Sequence, residues 1–310
     1  MKLSKNKVIL IGCNGFIGQA VLSELDNNFK KNFDIISLVR SYKNCEAIKE
    51  KLIKSTDDIV NFIRDFSPSI ILDLSGSYKT DNYFQIHKKN LEVPIAILEF
   101  LKTSEMKCHY ILASSAAIYR PKNQNIEVTE SCDLCPTSIY GVVKLNLENI
   151  CIHYADKHNL NISVARIFNV IGPGQPKILF PSVAIHSLID IKSDEKQNED
   201  NHGAFVGLNF MRDFLDVRDV ARALCCLINE KSAGLSIYNI CSGKGTYLSD
   251  LYKKIYYILK GRHVSGNFFD NDNEGFSIYG NNEKFCSHFD WSPSIDIECS
   301  LEDQINDLIR

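Results

Sequence analysis

Through the first 170 residues, short apolar runs alternate with longer stretches in which apolar side chains recur every three or four positions. The runs VILIG (8–12), DIISLVR (34–40), SIILDLS (69–75), CHYILASS (108–115) and ISVARIFN (162–169) have the length of strands. They are apolar almost throughout, which marks strands covered on both faces. IGQAVLSELDNNF (17–29), DDIVNFIRDF (57–66), NLEVPIAILEFLKTSE (90–105) and YGVVKLNLENICIHYADKH (140–158) carry the helical period. An Asp opens the second of these as a candidate cap, and Pro68 stops it. This alternation predicts an α/β fold, a doubly wound parallel sheet.

The texture changes after residue 172. GPGQPK reads as a loop and FPSVAIHSLIDI (180–191) as a helix, while KSDEKQNEDNHG (192–203) reads as an exposed polar loop. RDFLDVRDVARALCCLINE (212–230) predicts a short strand and a helix, LSIYNIC (235–241) a strand, and LSDLYKKIYYIL (248–259) a helix. The expected division is 1–170 plus about 213–241 as one domain, with 171–212 plus about 242–310 as a smaller lobe. A chain of 310 residues suits one core with such a lobe.

Charge and composition exclude some partners. The formal net charge is −3 and the 35 Lys and Arg are scattered, which speaks against nucleic acid and anionic membrane. No apolar stretch approaches the ~20 residues of a membrane span. MKLSKNKVILIG is basic and then apolar, but glycine and asparagine follow with no cleavage site, so a cytoplasmic protein is expected. The 11 cysteines, several of them in apolar surroundings such as Cys225 and Cys226, fit a reducing compartment. Cys132 and Cys135 have CxxC spacing but no second pair, so no metal is expected.

The first strand ends in glycines at 12, 15 and 18. Gly12 would permit a tight turn, Gly15 a close approach of backbone to a pyrophosphate, and Gly18 close packing of the helix on the strand. The helix N-terminus supplies free N–H groups and partial positive charge. This points to a dinucleotide and a Rossmann-type sheet, although the spacing is GxxGxxG rather than GxGxxG. The second strand ends in Arg40 and Ser41 with no carboxylate. An acid there would hold the ribose hydroxyl of NAD, whereas an Arg accommodates the 2′-phosphate of NADP. NADP(H) is favoured and NAD(H) remains open, the alternative for Arg40 being a solvated strand end.

Tyr140 and Lys144 lie four apart on a predicted helix and share a face. A Lys ammonium there favours proton exchange by the phenol, and Ser115 at a strand end is placed to bond the reacting oxygen. The alternative is a core aromatic and a solvated Lys. At this point the chain resembles the extended short-chain dehydrogenases/reductases that act on nucleotide sugars, the NAD-dependent epimerase/dehydratase family. The resemblance is carried by GCNGFIG (12–18), SSAAIY (114–119), YGVVK (140–144), RIFNVIGPGQ (166–175), RDFLDVRDVARA (212–223) and FDWSPSI (289–295). It implies that Ser115, Tyr140 and Lys144 form the catalytic set. It also implies that Gly12, Gly15, Phe16, Ile17, Gly18 and Arg40, with Tyr140 and Lys144, hold the cofactor. Ser115, Asn169 and Arg212 would hold the substrate, Arg212 at its diphosphate; a salt bridge to Asp213 or Asp216 is the alternative for that Arg.

Within the family, FNVIGPGQ and RDFLDVRDVARA are most similar to reductases of NDP-4-keto-6-deoxyhexoses. Dehydratases that resemble this chain carry acids directly after the catalytic Ser or Thr, where Ala116 and Ala117 stand. The resemblance therefore implies NADPH-dependent reduction of a 4-keto sugar. A 4-epimerase with tightly bound NAD and a non-catalytic nucleotide-binding module are the alternatives. A homodimer through the helices of 90–105 and 140–158 is also implied. Arg120 replaces a usual glycine, and 271–285 lacks the second Arg found in many relatives.

Overall fold

The computed structural model describes residues 5–29, 32–42, 48–78, 82–121, 126–190, 208–230, 233–264 and 275–309. The polar stretch 192–203 lies outside them. In chain order the first elements are β1 (Asn6–Ile11), α1 (Phe16–Asn28), β2 (Phe33–Val39), β3 (Lys49–Leu52), α2 (Thr56–Phe66) and β4 (Ile70–Asp73). There follow α3 (Tyr83–Thr103), β5 (His109–Ser115), a 3₁₀ turn (Ala116–Ile118), β6 (Ile126–Val128), α4 (Ile139–His158), β7 (Asn161–Ile167) and β8 (Asn169–Ile171). The chain continues through α5 (Phe180–Asp190), β9 (Met211–Asp216), α6 (Val217–Ile228), β10 (Leu235–Ile240) and β11 (Gly245–Tyr247). It then passes through α7 (Leu248–Lys260), β12 (Ile278–Gly280), α8 (Glu283–Phe289) and α9 (Ile297–Ile309).

Seven strands form one parallel sheet in the order β10-β7-β5-β4-β1-β2-β3. The chain first runs outward from β1 to β3 and then resumes on the other side of β1 with β4. This reversal opens a crevice at the carboxyl ends of β1 and β4, the usual ligand position in such sheets. Both faces are covered. Val8 and Leu10 pack with Val21, Leu25, Val220 and Leu224 of α1 and α6, whereas Ile9 and Ile11 pack with Ile63, Leu98 and Leu147 of α2, α3 and α4. The two-residue period of β1 thus feeds two apolar layers, which is why the strand reads as apolar throughout.

The predicted strands and long helices are present, with some differences. The cap of α2 is Ser55 rather than an Asp: its Oγ accepts from Asp58 N at 3.1 Å, and Asp58 reaches back to Ser55 N at 3.1 Å. α3 begins at Tyr83, capped by Asn82, seven residues before its apolar period becomes visible. Its first turns carry the exposed Tyr83 and Phe84. The run 162–169 breaks after Ile167, and β8 then joins β9 and β11 in a separate three-stranded sheet. β3, with the sequence KEKL, is a charged edge strand without an apolar signal. β12 pairs with β6.

The Trp-Pro segment locks onto α6. Asp219, fully buried, accepts the N–H groups of Ser294 and Ile295 at 2.9 and 3.0 Å and pairs with Arg222 at 2.6 Å. Cys13, Cys108, Cys151, Cys225 and Cys241 are buried, and Cys226 is half-buried. Among the described residues no helix is long and apolar enough to cross a membrane.

Asp213 joins β9 to the turn after β10 and to β12. Its carboxylate accepts from Ser242 N (2.8 Å), Ser242 Oγ (2.7 Å), Gly243 N (3.1 Å) and Gly280 N (3.2 Å). Burial nevertheless outweighs these bonds and pushes its carboxyl up to about 6 from an ordinary 3.8. The folded state therefore holds the proton more tightly than the unfolded one. This group's contribution to stability is full below about pH 4 and is lost as pH rises through about 6. Urea unfolding of the parent and of Asp213→Asn across pH 4–7 should differ by a constant offset plus this slope, which the Asn variant lacks; the slope amounts to about 3 kcal/mol at most.

Candidate active site

The glycine turn follows β1 directly. Gly12 adopts φ +83°, and a Cβ on it would lie 2.6 Å from the carbonyl oxygen of Leu74, just past β4. Only glycine fits that left-handed, crowded position. A Cβ on Gly15 would meet only the Gly12 oxygen, at 3.3 Å, so the outer side of this residue is open. Gly15 is the N-cap of α1 and makes no side-chain cap bond, and the first turn of the helix carries no acid. The N–H groups of Phe16, Ile17 and Gly18 are therefore available to an anion. This cradle fits a pyrophosphate. Arg40 is exposed directly after β2, and the neighbouring Ser41 is tied to the turn by Asn14 Nδ2, which donates to its carbonyl at 3.1 Å.

Ser115 closes β5, and its Oγ accepts from Ala117 N at 3.2 Å. α4 starts beside it. Ser138 caps the helix by accepting from Gly141 N at 3.1 Å, and Gly141 packs so tightly on the Ala117 carbonyl that no side chain fits there. Tyr140 and Lys144 follow on this helix. Lys144 is 3% exposed; its Nζ donates to Ala113 O at 3.0 Å and lies 5.9 Å from the centre of the Tyr140 ring. The structure thus brings Ser115, Tyr140 and Lys144 to one corner of the sheet, and neither alternative, a core aromatic or a solvated lysine, describes them.

The loop after β4 completes this corner and had no counterpart in the sequence reading. Gly76 (φ +138°) lies against Lys144, where a Cβ would come within 3.3 Å of Nζ. Asn90, fully buried in α3, fixes the loop by donating to Ser77 O at 2.8 Å and accepting from Ser77 N at 3.3 Å. Tyr78 sets its ring edge-on to Tyr140 at 6.3 Å. Burial, with the neighbouring Tyr140, raises the Tyr78 phenol above its ordinary value. The only signals in the sequence were a glycine after an apolar run and an Asn inside a helical one. Asp73, at the end of β4, is buried and accepts from Tyr110 Oη at 2.8 Å.

Ser115 pairs in register with Ile167, so Asn169 emerges two residues further along at the same end of the sheet. Asn169 is exposed, and its Nδ2 donates to Asp213 O at 2.9 Å on the adjacent β9. Arg212, also on β9, lies over the Phe276 ring at 5.2 Å and donates to the carbonyls of Met211 and Phe276. It makes no salt bridge with Asp213 or Asp216. Asp213 is taken by Ser242, Gly243 and Gly280, and Asp216 by Arg218 at 2.8 Å. Arg212 is a half-buried cation with no carboxylate partner among the described residues, and burial lowers its affinity for its proton.

Known proteins share this architecture. The family model "NAD dependent epimerase/dehydratase family" matches residues 8–241. GDP-6-deoxy-D-mannose reductase from Pseudomonas aeruginosa is 27% identical over 189 residues, 59% of this chain and 61% of that protein's length. A putative UDP-glucose 4-epimerase from Methanocaldococcus jannaschii is 25% identical over 96% of this chain and 97% of its own. The fold is shared with UDP-glucuronic acid 4-epimerase from Bacillus cereus, solved with UDP-glucuronic acid and NAD. That structure has a TM-score of 0.82 at 19% identity and covers 98% of this chain and 99% of its own. The family match covers the glycine turn, the Ser115–Tyr140–Lys144 corner and the Asn169–Arg212 strands, and the chain belongs to the NAD-dependent epimerase/dehydratase family.

Proposed function

We propose that this chain reduces the 4-keto group of a nucleotide-activated 4-keto-6-deoxy sugar with NADPH. The observation that carries the reading is the convergence of Tyr140, Lys144 and Ser115 at the end of β5, beside the glycine cradle. The nicotinamide, when bound, supplies a hydride. Tyr140 gives its proton to the oxygen of the reduced carbonyl, and Ser115 Oγ donates a hydrogen bond to that oxygen. Lys144 places its charge where the phenol leaves negative charge behind. It gives one N–H to Ala113 O, which leaves donors for ribose hydroxyls. The exposed Arg40 binds the 2′-phosphate, and Arg212, without a carboxylate partner among the described residues and with Asn169 beside it, holds the substrate diphosphate. Neither Ala116 nor Ala117 can move a proton, which supports reduction over dehydration.

On this reading 1–170 with about 213–241 binds the dinucleotide, and 171–212 with about 242–310 binds the nucleotide sugar. The chain acts as a homodimer through α3 and α4, a role supported by the 81% exposure of Phe84 and by the exposed Ile139 and Val142. A second reading, 4-epimerisation with retained NAD, is supported by the full-length similarity to the putative UDP-glucose 4-epimerase.

Incubation with NADPH and the GDP-, dTDP-, CDP- and UDP-4-keto-6-deoxyhexoses should consume NADPH and yield a reduced sugar; interconversion of UDP-hexoses without net consumption would replace this reading with epimerisation. Tyr140→Phe should lower kcat by about 10³-fold with NADPH binding retained. Arg40→Glu should reduce the preference for NADPH over NADH by about 10- to 100-fold, read from kcat/KM for the two cofactors. Arg212→Met should raise the sugar KM by about 100-fold and leave the NADPH KM unchanged.

A further inference from the structure

A continuous line of buried polar groups, used by none of the roles above, runs from the end of β5 to the β6–β12 pair. Glu148 of α4 is fully buried, and Arg166 of β7 is 2% exposed. Arg166 Nε and Nη2 donate to Glu148 Oε2 at 3.0 and 2.9 Å. Ser114 Oγ donates to the other oxygen of Glu148. Arg166 Nη1 donates to Tyr119 Oη at 2.7 Å and to Glu130 O at 3.0 Å. Tyr119 Oη donates to Asn239 Oδ1 at 2.8 Å, and Asn239 Nδ2 donates to Val128 O at 3.0 Å and Asn281 O at 3.3 Å.

Each element that carries the reacting groups is tied to this one ion pair. Ser114 precedes Ser115. Glu148 lies one helical turn past Lys144, so α4 grips consecutive residues of β5: Lys144 takes Ala113 O, and Glu148 takes Ser114 Oγ. Tyr119 ends the 3₁₀ turn that leaves Ser115. Desolvating two charges roughly cancels their attraction, so an apolar pair of equal volume would hold the core as well. An apolar pair would not set an angle, whereas two guanidinium N–H groups on Oε2 and the Ser114 hydroxyl on Oε1 together fix the orientation and register of the Glu148 carboxylate. The remaining buried side chains along this stretch of α4, Val143, Leu147 and Cys151, are apolar and tolerate a small slide or rotation.

We infer that Glu148 and Arg166 are positioning residues that hold α4 in the register at which Tyr140 and Lys144 face Ser115, and that Tyr119 and Asn239 anchor the same register to β6 and β12. The inference rests on that trio being the reacting set, and it holds whichever sugar carbonyl or alcohol the site takes.

The test compares Arg166→Met, which strands a buried carboxylate, with the double variant Glu148→Gln/Arg166→Met, in which no charge is left unpaired. Leu227→Ala in α6 serves as a destabilised control remote from the line. Arg166→Met should unfold at lower denaturant, and the double variant should regain most of the parent's midpoint and bind NADPH normally. Its kcat should remain down by about 10- to 100-fold with KM unchanged, while Leu227→Ala keeps the parent's kcat. In ring-¹³C tyrosine NMR, the Tyr140 signal, assigned by its loss in Tyr140→Phe, should move in the double variant. A double variant that regains kcat along with stability, or a Tyr140 signal that stays in place, would overturn the inference and leave the pair a structural one. The NMR readout needs no substrate, so a parent that turns over none of the 4-keto sugars would sink the proposed reaction alone.

Discussion

The Lys144 ammonium is almost wholly removed from water, and much of the site follows from that. A buried ammonium needs an acceptor and close, shaped surroundings. Ala113 O provides the acceptor, and the Gly76 backbone closes in to a distance at which a side chain would crowd the charge. The Tyr140 ring lies on the same helix face. Three elements distant in sequence, the loop after β4, the end of β5 and the first turns of α4, are thereby brought to a single point. Asn90 and the tight packing of Gly141 on the Ala117 carbonyl hold the first and third of these in place. The crevice and this corner thus lie together: the switch point of the sheet opens the space, and the buried lysine gathers Ser115, Tyr140 and the Gly76 loop at its wall.

Arg166 and Arg212 have opposite surroundings. Arg166 is buried deeper, yet two of its N–H groups meet one oxygen of the Glu148 carboxylate and another meets a phenol and a carbonyl, so it holds its proton more tightly than usual. Arg212 has carbonyls and an aromatic face but no carboxylate partner among the described residues, and burial works against its charge. The first belongs to the framework. The second stands on β9, where Asn169 of the neighbouring strand donates to the Asp213 carbonyl.

The layered α/β fold, the glycine turn and the shared helix face of Tyr140 and Lys144 were readable from residue order, because period and spacing are local properties; grouping Ser115 with them rested on the resemblance to the family. Solidly apolar runs require cover on both faces, a tight turn after β1 requires glycine, and residues four apart on a helix share a face whatever surrounds them. Elements without an apolar signal escaped: β3 is a charged edge strand, and the early turns of α3 expose their aromatics. The break after Ile167 escaped as well, since a single residue separates β7 from β8 and the two part only because they join different sheets.

Charge pairing was decided by the tertiary structure alone. Arg212 precedes Asp213 in the chain, yet successive side chains of a strand point to opposite faces, and Asp213 is drawn to the turn after β10 instead. Arg166 finds its carboxylate on a helix 18 residues earlier in the chain. Asn90 and Gly76 meet Ser77 and Lys144 only because β4, α3 and α4 pack together. Local sequence sets which elements form and which faces they bury. Which buried charge finds a partner depends on distances across the fold that no local pattern encodes.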